Sequence, residues 1–268
     1  MRVCLAPLST LTLYAGLVLE HLGHEVFIFD DMGRCPGVLE DLRPPQRLRL
    51  VDAAPGSKPL RRMLQRCDVL GIFWDPWDAG GCGGWLEALA GYAVAASASS
   101  VERLVVGLPG AAYAWSGGRV ECGSLPRVPP PHPLYRAPLA SAILSWRPDG
   151  LLVVYPPLLH PRGERLLPGR PEPVNWLDVL LETGVLEAPR GARLSVLDYR
   201  DAAETIALLL EGEEAGWYCM GGLSVEAEVA AKLAKMVSWS ERVPSTLVAE
   251  GPGAKRRTVM LLKRLGLL

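Results

Sequence analysis

The side chains most able to do acid–base chemistry in this sequence are Tyr135, His132 and His160. His132 and Tyr135 lie close together in the stretch RVPPPHPLY, and His160 lies in a second proline-rich loop. Loops at the strand ends of a parallel sheet converge on one cleft, so the three side chains could form a proton-transfer cluster there. The alternative is a tyrosine half-buried at the cleft rim, with histidines that are solvated surface groups.

A second set of polar side chains lies between the first apolar strand and the first helix. Ser9, Thr10 and Thr12 could donate their hydroxyl groups to an anion at this helix N-terminus, where backbone N–H groups are unpaired. Serine and threonine are also favoured as helix N-caps, so capping is the alternative.

The stretch FWDPWDAGGCGGW is the third candidate, because it places Trp74, Asp75 and Trp77 directly after an apolar strand. Ligands of open α/β sheets bind beyond the carboxyl ends of the strands, so we expect these side chains to line a ligand cleft. The tryptophans could instead pack over the sheet or form a contact between subunits of a homodimer.

The elements that must position these residues alternate between strand and helix. Continuous apolar runs predict strands at 2–5, 26–30, 69–73, 104–107 and 151–155. Apolar residues at helical spacing predict helices at 14–22, 60–66, 85–98 and 137–146. This alternation is typical of an α/β fold, a doubly wound, Rossmann-like parallel sheet covered by helices on both faces.

The pattern changes after residue 156, where PPLLHPRGERLLPGRPEPVN excludes regular structure through its proline and glycine. We predict a helix at 176–183, a strand at 194–197, a helix at 202–211, a strand at 216–220 and a helix at 225–237 capped by Ser224. We therefore divide the chain into a Rossmann-like domain, 1–155, and a smaller mixed C-terminal part, 156–268. Elements at about 194–212 are expected to return to the main sheet.

Composition narrows the classes of partner and location. The 268 residues carry a formal net charge of −1 and are 49% hydrophobic, so a sizeable core forms and long-range attraction to nucleic acid or an anionic membrane is not expected. No apolar run reaches the roughly 18–20 residues that span a bilayer, so we predict a cytoplasmic protein. Arginine outnumbers lysine and amide side chains are rare, a bias that suits a thermophile or a GC-rich genome.

The six cysteines are scattered singly, without a C-x-x-C pair. We therefore predict no metal site and interpret most of them as buried thiols, although intracellular disulfides would be admissible in a hyperthermophile.

Several stretches, in order, resemble the extended short-chain dehydrogenase/reductase family of NAD-dependent epimerases, dehydratases and reductases. GHEVFIFD is similar to the second strand of that family, RCDVLGIFWDP to the strand after its third helix, and VERLVVGLPGAAYAW to the strand that leads to its catalytic serine. GLLVVYPPLLHPRG and YRDAAETIALLLEG resemble its later segments. The resemblance covers nearly the whole chain and implies NAD(P) and a nucleotide-sugar substrate.

The positions that carry function in that family are altered here. Pro7 and Thr10 stand where the family has glycines that admit the pyrophosphate, and proline also lacks an N–H donor. Leu139 replaces the lysine that follows the catalytic tyrosine, matched here by Tyr135. Leu108 and Pro109 occupy the serine positions.

Asp30 matches the acid that accepts the ribose 2′-hydroxyl group in the family. An Asp–Asp pair at a strand end is also an ordinary turn former.

We therefore predict a pseudoenzyme with a ligand-binding or assembly role, either a homodimer or a subunit of a larger complex, with its cofactor unknown. One alternative is an active NAD(P)-dependent epimerase or reductase with a site rebuilt from Ser9, Thr10, Asp30, Tyr135 and His160. Another is a nucleic-acid accessory protein, suggested only by the basic C-terminal stretch KRRTVMLLKR.

Overall fold

The computed structural model describes residues 1–30, 46–73, 91–92, 94–96, 99–110, 122–124, 149–156, 158–159, 176–239 and 255–268. Its main sheet contains seven strands, in the order β10-β6-β5-β4-β1-β2-β3, and every neighbouring pair is parallel. These strands are β1 (Arg2–Ala6), β2 (Glu25–Asp30), β3 (Leu48–Asp52), β4 (Val69–Phe73), β5 (Arg103–Pro109), β6 (Leu151–Tyr155) and β10 (Gly216–Cys219).

Helices cover both faces of this sheet. Helix α1 (Thr10–His21) packs beside α4 (Tyr199–Glu211) on one face, and both share an apolar core with the sheet. Helix α2 (Lys58–Leu64) covers the other face through Leu60 and Leu64. The predicted α/β, doubly wound class is confirmed. The strands in the centre of the sheet are buried on both faces, which explains their continuous apolarity in the sequence.

Strand β3 was not predicted. Its sequence, LRLVD, has polar residues at its second and last positions, and only Leu48 is fully buried. An edge strand is half solvated, so it lacks the continuous apolar run that identified the central strands.

The C-terminal lobe has its own small sheets and its own core. Strand β9 (Arg193–Asp198) lies between β7 (Leu158–Leu159) and β11 (Leu223–Glu226), and β12 (Met236–Trp239) pairs with β8 (Val185–Ala188). Strands β8, β9, β11 and β12 surround a separate apolar core with α3 (Trp176–Thr183), α5 (Ala227–Ala230) and α6 (Arg256–Arg264).

One expectation for this lobe needs correction. The predicted helix at 225–237 is wrong: residues 223–226 form β11, a helix covers only 227–230, a 3-10 turn follows, and residues 236–239 form β12. The helical spacing of its alanines and valines was also compatible with short strands, as is common for short apolar runs. Of the elements near 194–212, β9 belongs to the three-stranded sheet, whereas α4 packs on α1 and the later strand β10 joins the main sheet.

A buried carboxylate connects the C-terminal helix to α4. Asp201 is fully buried and accepts hydrogen bonds from the Thr258 N–H at 2.9 Å and from the Thr258 hydroxyl at 2.7 Å. The Arg257 guanidinium lies 3.2 Å from the same carboxylate. The Asp198 N–H in turn donates to Thr258 Oγ1 at 3.0 Å. Asp201 thus caps α6 from a different helix.

The cysteines correct another expectation. Cys4 is joined to Cys67, and Cys122 is joined to Cys219, so these four residues are disulfide partners rather than free thiols. Cys35 and Cys82 lie outside the described residues. Disulfide pairing of single scattered cysteines cannot be deduced from sequence, because it depends on which strands become neighbours.

None of the helices in the described segments is long and apolar enough to cross a membrane.

Candidate functional site

The order of strands reverses at β1, which places a crevice between the carboxyl ends of β1 and β4. Open α/β sheets bind their ligands at this point. The described residues here are the turn after β1, the end of β2, and the ends of β5 and β6.

The turn after β1 is closed by hydrogen bonds within itself. Ser9 is the N-cap of α1, and its hydroxyl oxygen accepts the Thr12 N–H at 3.2 Å. In return, the Ser9 N–H donates to Thr12 Oγ1 at 2.8 Å, which completes a capping box. The Thr12 hydroxyl donates onward to the Pro7 carbonyl at 2.7 Å. Both hydroxyl groups therefore have structural partners.

A further backbone donor of this turn, at Leu8, is also engaged. The Leu8 N–H donates to the Phe29 carbonyl of β2 at 3.0 Å, and Pro7 has no N–H to offer. Ser9, Thr10 and Thr12 are 4%, 3% and 0% exposed. A bound pyrophosphate needs free N–H groups and an approach unobstructed by side chains. In residues 7–12, the N–H groups of Leu8, Ser9 and Thr12 already have acceptors within the fold, and these three donors are not free for a pyrophosphate.

We expect Ser9→Ala to lower the free energy of unfolding by about 1–2 kcal/mol, the usual cost of a lost N-cap. The buried Thr12 N–H would lose its acceptor. Ser57→Ala is the matched control, because Ser57 caps α2 through the Leu60 N–H from a less buried position. Urea unfolding measures both variants, and a Ser9→Ala variant no less stable than wild type would contradict the structural role.

Asp30 lies at the carboxyl end of β2, where the resemblance places an acid that binds ribose. Asp30 is 6% exposed, and its backbone carbonyl accepts the Ala53 N–H at 2.8 Å. In the sheet, Asp30 pairs in register with Asp52 of β3. Two acidic residues therefore lie side by side at this edge. A contact between Asp30 and ribose stays a prediction.

The end of β5 is apolar where a catalytic serine was expected by resemblance. Leu108 is 3% exposed, and Pro109 pairs in register with Tyr155 of β6. The side chains of Leu108 and Pro109 have no hydrogen-bonding group, so they cannot hold a substrate oxygen.

The remaining predicted site residues lie outside the described part of the chain. These are Tyr135, His132, His160, Trp74, Asp75 and Trp77. The structure therefore brings Ser9, Thr10, Thr12 and Asp30 to one edge of the sheet, and the acid–base and ligand-cleft assignments stay predictions. Within the described segments, no group of three or more His, Cys, Asp or Glu side chains could hold a metal ion.

Among the described residues, the two side chains with a clearly shifted pKa, Tyr218 and Arg257, do not belong to the turn and strand ends that form this crevice. Burial, and then the charge of Glu214, raise the pKa of the Tyr218 phenol on β10. A hydrogen bond to Glu204 is the largest cause that raises the pKa of the Arg257 guanidinium at the start of α6.

The junction between the main sheet and the C-terminal lobe is tightly packed beside the crevice. A Cβ atom at Gly222 would lie 2.5 Å from Ser195 Oγ and 3.0 Å from the Pro156 ring. Ser195 Oγ is buried and has no hydrogen-bond partner among the described residues. Gly222 therefore allows β9 to approach the end of β6.

We expect Gly222→Ala to destabilise the protein by about 1–3 kcal/mol through overpacking. Ser195→Ala alone should be neutral or stabilising, because it removes a buried hydroxyl group that lacks a partner. The double variant should recover part of the loss, since one of the two clashes is gone. Thermal unfolding of the three variants measures this coupling, and strictly additive effects would contradict the contact.

Sequence reasoning could have found the capping box. Ser9 and Thr12 are spaced as S-x-x-T, close to the S/T-x-x-E/Q pattern of such boxes. The contact between the Leu8 N–H and β2 has no local signal, because it joins residues 21 positions apart through the backbone alone.

No protein-family model matches the chain. A comparison with curated proteins also finds no match. Solved structures do match over nearly the full length. One is the Bordetella bronchiseptica enzyme WbmH in complex with NAD+, with a TM-score of 0.66 and 15% identity over 97% of this chain and 90% of the other.

A second is the dTDP-glucose 4,6-dehydratase DesIV from Streptomyces venezuelae with NAD and TYD bound, with a TM-score of 0.62, 18% identity and coverage of 100% and 92%. A third is the UDP-glucuronic acid 4-epimerase from Bacillus cereus in complex with NAD, with a TM-score of 0.62, 14% identity and 98% of each chain.

This chain has the fold of these enzymes. The resemblance seen in the sequence is thereby confirmed at the level of the fold. At 12–18% identity, the epimerase/dehydratase fold does not carry over the activity of its relatives.

Proposed function

We propose that this protein is a divergent protein with the epimerase/dehydratase fold. It binds a ligand or an assembly partner, and it does not bind a dinucleotide at the turn after β1. The observation that carries the proposal is the capping box of Ser9 and Thr12, together with the bond from the Leu8 N–H to Phe29. These bonds engage three N–H donors at the start of α1, those of Leu8, Ser9 and Thr12, which a pyrophosphate at this helix end could otherwise contact.

The apolar end of β5 supports the same proposal. Leu108 and Pro109 stand at the positions of a substrate-holding serine and cannot form its hydrogen bond. Loss of a single preorganised donor to the reacting oxygen commonly costs an enzyme a factor of about 100–1,000 in kcat. The end of β5 therefore offers no side-chain donor to the substrate oxygen, as standard reductase or epimerase chemistry would require.

The basic C-terminal segment fits a structural role in this proposal. Arg257 pairs with Asp201 and Glu204, and Lys255 Nζ lies 3.4 Å from the Gly222 carbonyl. A basic side chain that is already paired with a carboxylate or carbonyl of its own protein contributes less to binding a polyanion than an unpaired one.

An active NAD(P)-dependent enzyme is the second candidate. Similarity over nearly the whole chain to structures that contain NAD favours it, as does Asp30 at the end of β2. Such an enzyme would have to hold the phosphates through residues other than the donors already used in the turn.

Titration with NADH and NADPH, followed by energy transfer from tryptophan to the nicotinamide, separates the two candidates. We expect no energy transfer at millimolar cofactor. Micromolar binding that is lost in Asp30→Ala would overturn our proposal in favour of the enzyme.

A further inference from the structure

The two disulfides of the described chain differ in their access to solvent. Cys4 and Cys67 are 0% and 2% exposed within the apolar core. Cys122 is exposed, and its partner Cys219 is half-buried. A thiolate must reach a disulfide sulfur to attack it, so accessible disulfides exchange and enclosed ones resist. Of these four cysteines, Cys122 is the most exposed and therefore the most accessible to a reductant in solution.

The accessible disulfide holds an edge of the main sheet. Cys219 is the last residue of β10, whose neighbour in the sheet is β6. All four residues of β10 are half-buried, whereas all five residues of β6 are buried. Backbone bonds from the Gly216 N–H to Gly150 and from the Met220 N–H to Val154 complete its attachment. An edge strand with one neighbour and few buried residues belongs to the less stable part of a fold, so a covalent link at its end contributes to its order.

We propose that Cys122 is a site of thiol–disulfide exchange with a dithiol reductant, and that this exchange loosens β10. The first thiolate of the reductant attacks Sγ of Cys122, the Cys122–Cys219 bond breaks, and Cys219 leaves as a thiolate that takes up a proton. The second thiol of the reductant then displaces Cys122. The protein ends with two thiols, and the reductant ends as a cyclic disulfide.

The consequence reaches the junction with the C-terminal lobe. Residues 220–222 continue from β10 to Gly222, which packs against Ser195 and Pro156. The position of β10 therefore affects the packing of Gly222 against Ser195 of the C-terminal lobe. This inference stands apart from the proposed function, because it does not depend on whether a dinucleotide binds.

The test uses the full chain, folded and without denaturant. Dithiothreitol is added, free thiols are alkylated at intervals, and peptide mass spectrometry reports each disulfide. We expect Cys122–Cys219 to open at least about tenfold faster than Cys4–Cys67, which must wait for the core to open. With the monothiol 2-mercaptoethanol, the trapped mixed disulfide should lie on Cys122. Hydrogen exchange of residues 216–220 should then rise by roughly tenfold, and Cys122→Ser/Cys219→Ser should reproduce the rise without reductant.

Equal opening rates for the two disulfides would overturn the proposal, as would an adduct on Cys219 or free thiols at both positions in the untreated protein. Unchanged exchange in 216–220 after reduction, and in the double serine variant, would overturn the effect on β10.

Discussion

Asp201→Ala should lower the free energy of unfolding by about 3 kcal/mol, because it leaves a buried backbone donor and a buried hydroxyl without acceptors. Both groups belong to Thr258, which is fully buried at the start of α6. The Arg257 guanidinium loses one partner but is 38% exposed and can turn to water, so the loss stays below that of a fully buried ion pair. Urea unfolding measures the change, and hydrogen exchange should show residues 256–264 opening first.

Glu204→Gln is the matched control for this prediction. Glu204 also pairs with Arg257, yet it is 37% exposed, so its removal should cost less than about 1 kcal/mol. If Asp201→Ala is no more destabilising than Glu204→Gln, the assignment of Asp201 as the buried cap of α6 is wrong.

Removal of the Cys4–Cys67 disulfide should have the other large effect. The two Cα atoms are 6.0 Å apart, within the range of disulfides, and the link closes 63 residues of sequence. The entropy of the unfolded chain then rises in Cys4→Ala/Cys67→Ala, at an expected cost of about 4 kcal/mol on the loop-closure model. Chemical unfolding without reductant measures this loss.

The two single variants distinguish a covalent link from simple packing. Either one alone breaks the disulfide, so Cys4→Ala and Cys67→Ala should each cost nearly as much as the double variant. Small losses that add up across the two sites would indicate two separate thiols packed in the core.

Much of the fold could be predicted because the central strands are buried on both faces and therefore carry continuous apolar runs. Helix α3 was predicted with its observed bounds, 176–183, since its apolar residues follow one helical face. The edge strand β3 and the short elements after residue 222 were missed or misassigned. Their four- or five-residue patterns fit more than one kind of structure, and tertiary pairing decides between them.

The candidate site was predictable where it depends on local chemistry. Proline at position 7 excludes an N–H donor whatever the fold, and Ser9 has the residue type of an N-cap. The engagement of the Leu8 N–H by β2 and the pairing of cysteines depend on contacts between distant segments. Those contacts follow from sheet order, which no single stretch of sequence encodes.

A crystal structure of the protein grown with millimolar NAD tests the central claim most directly. Our account predicts that the hydrogen bonds between Ser9 and Thr12 and from Leu8 to Phe29 persist, and that no dinucleotide lies against residues 6–13. A pyrophosphate bound at this turn, with its nicotinamide directed toward the carboxyl end of β5, would contradict it.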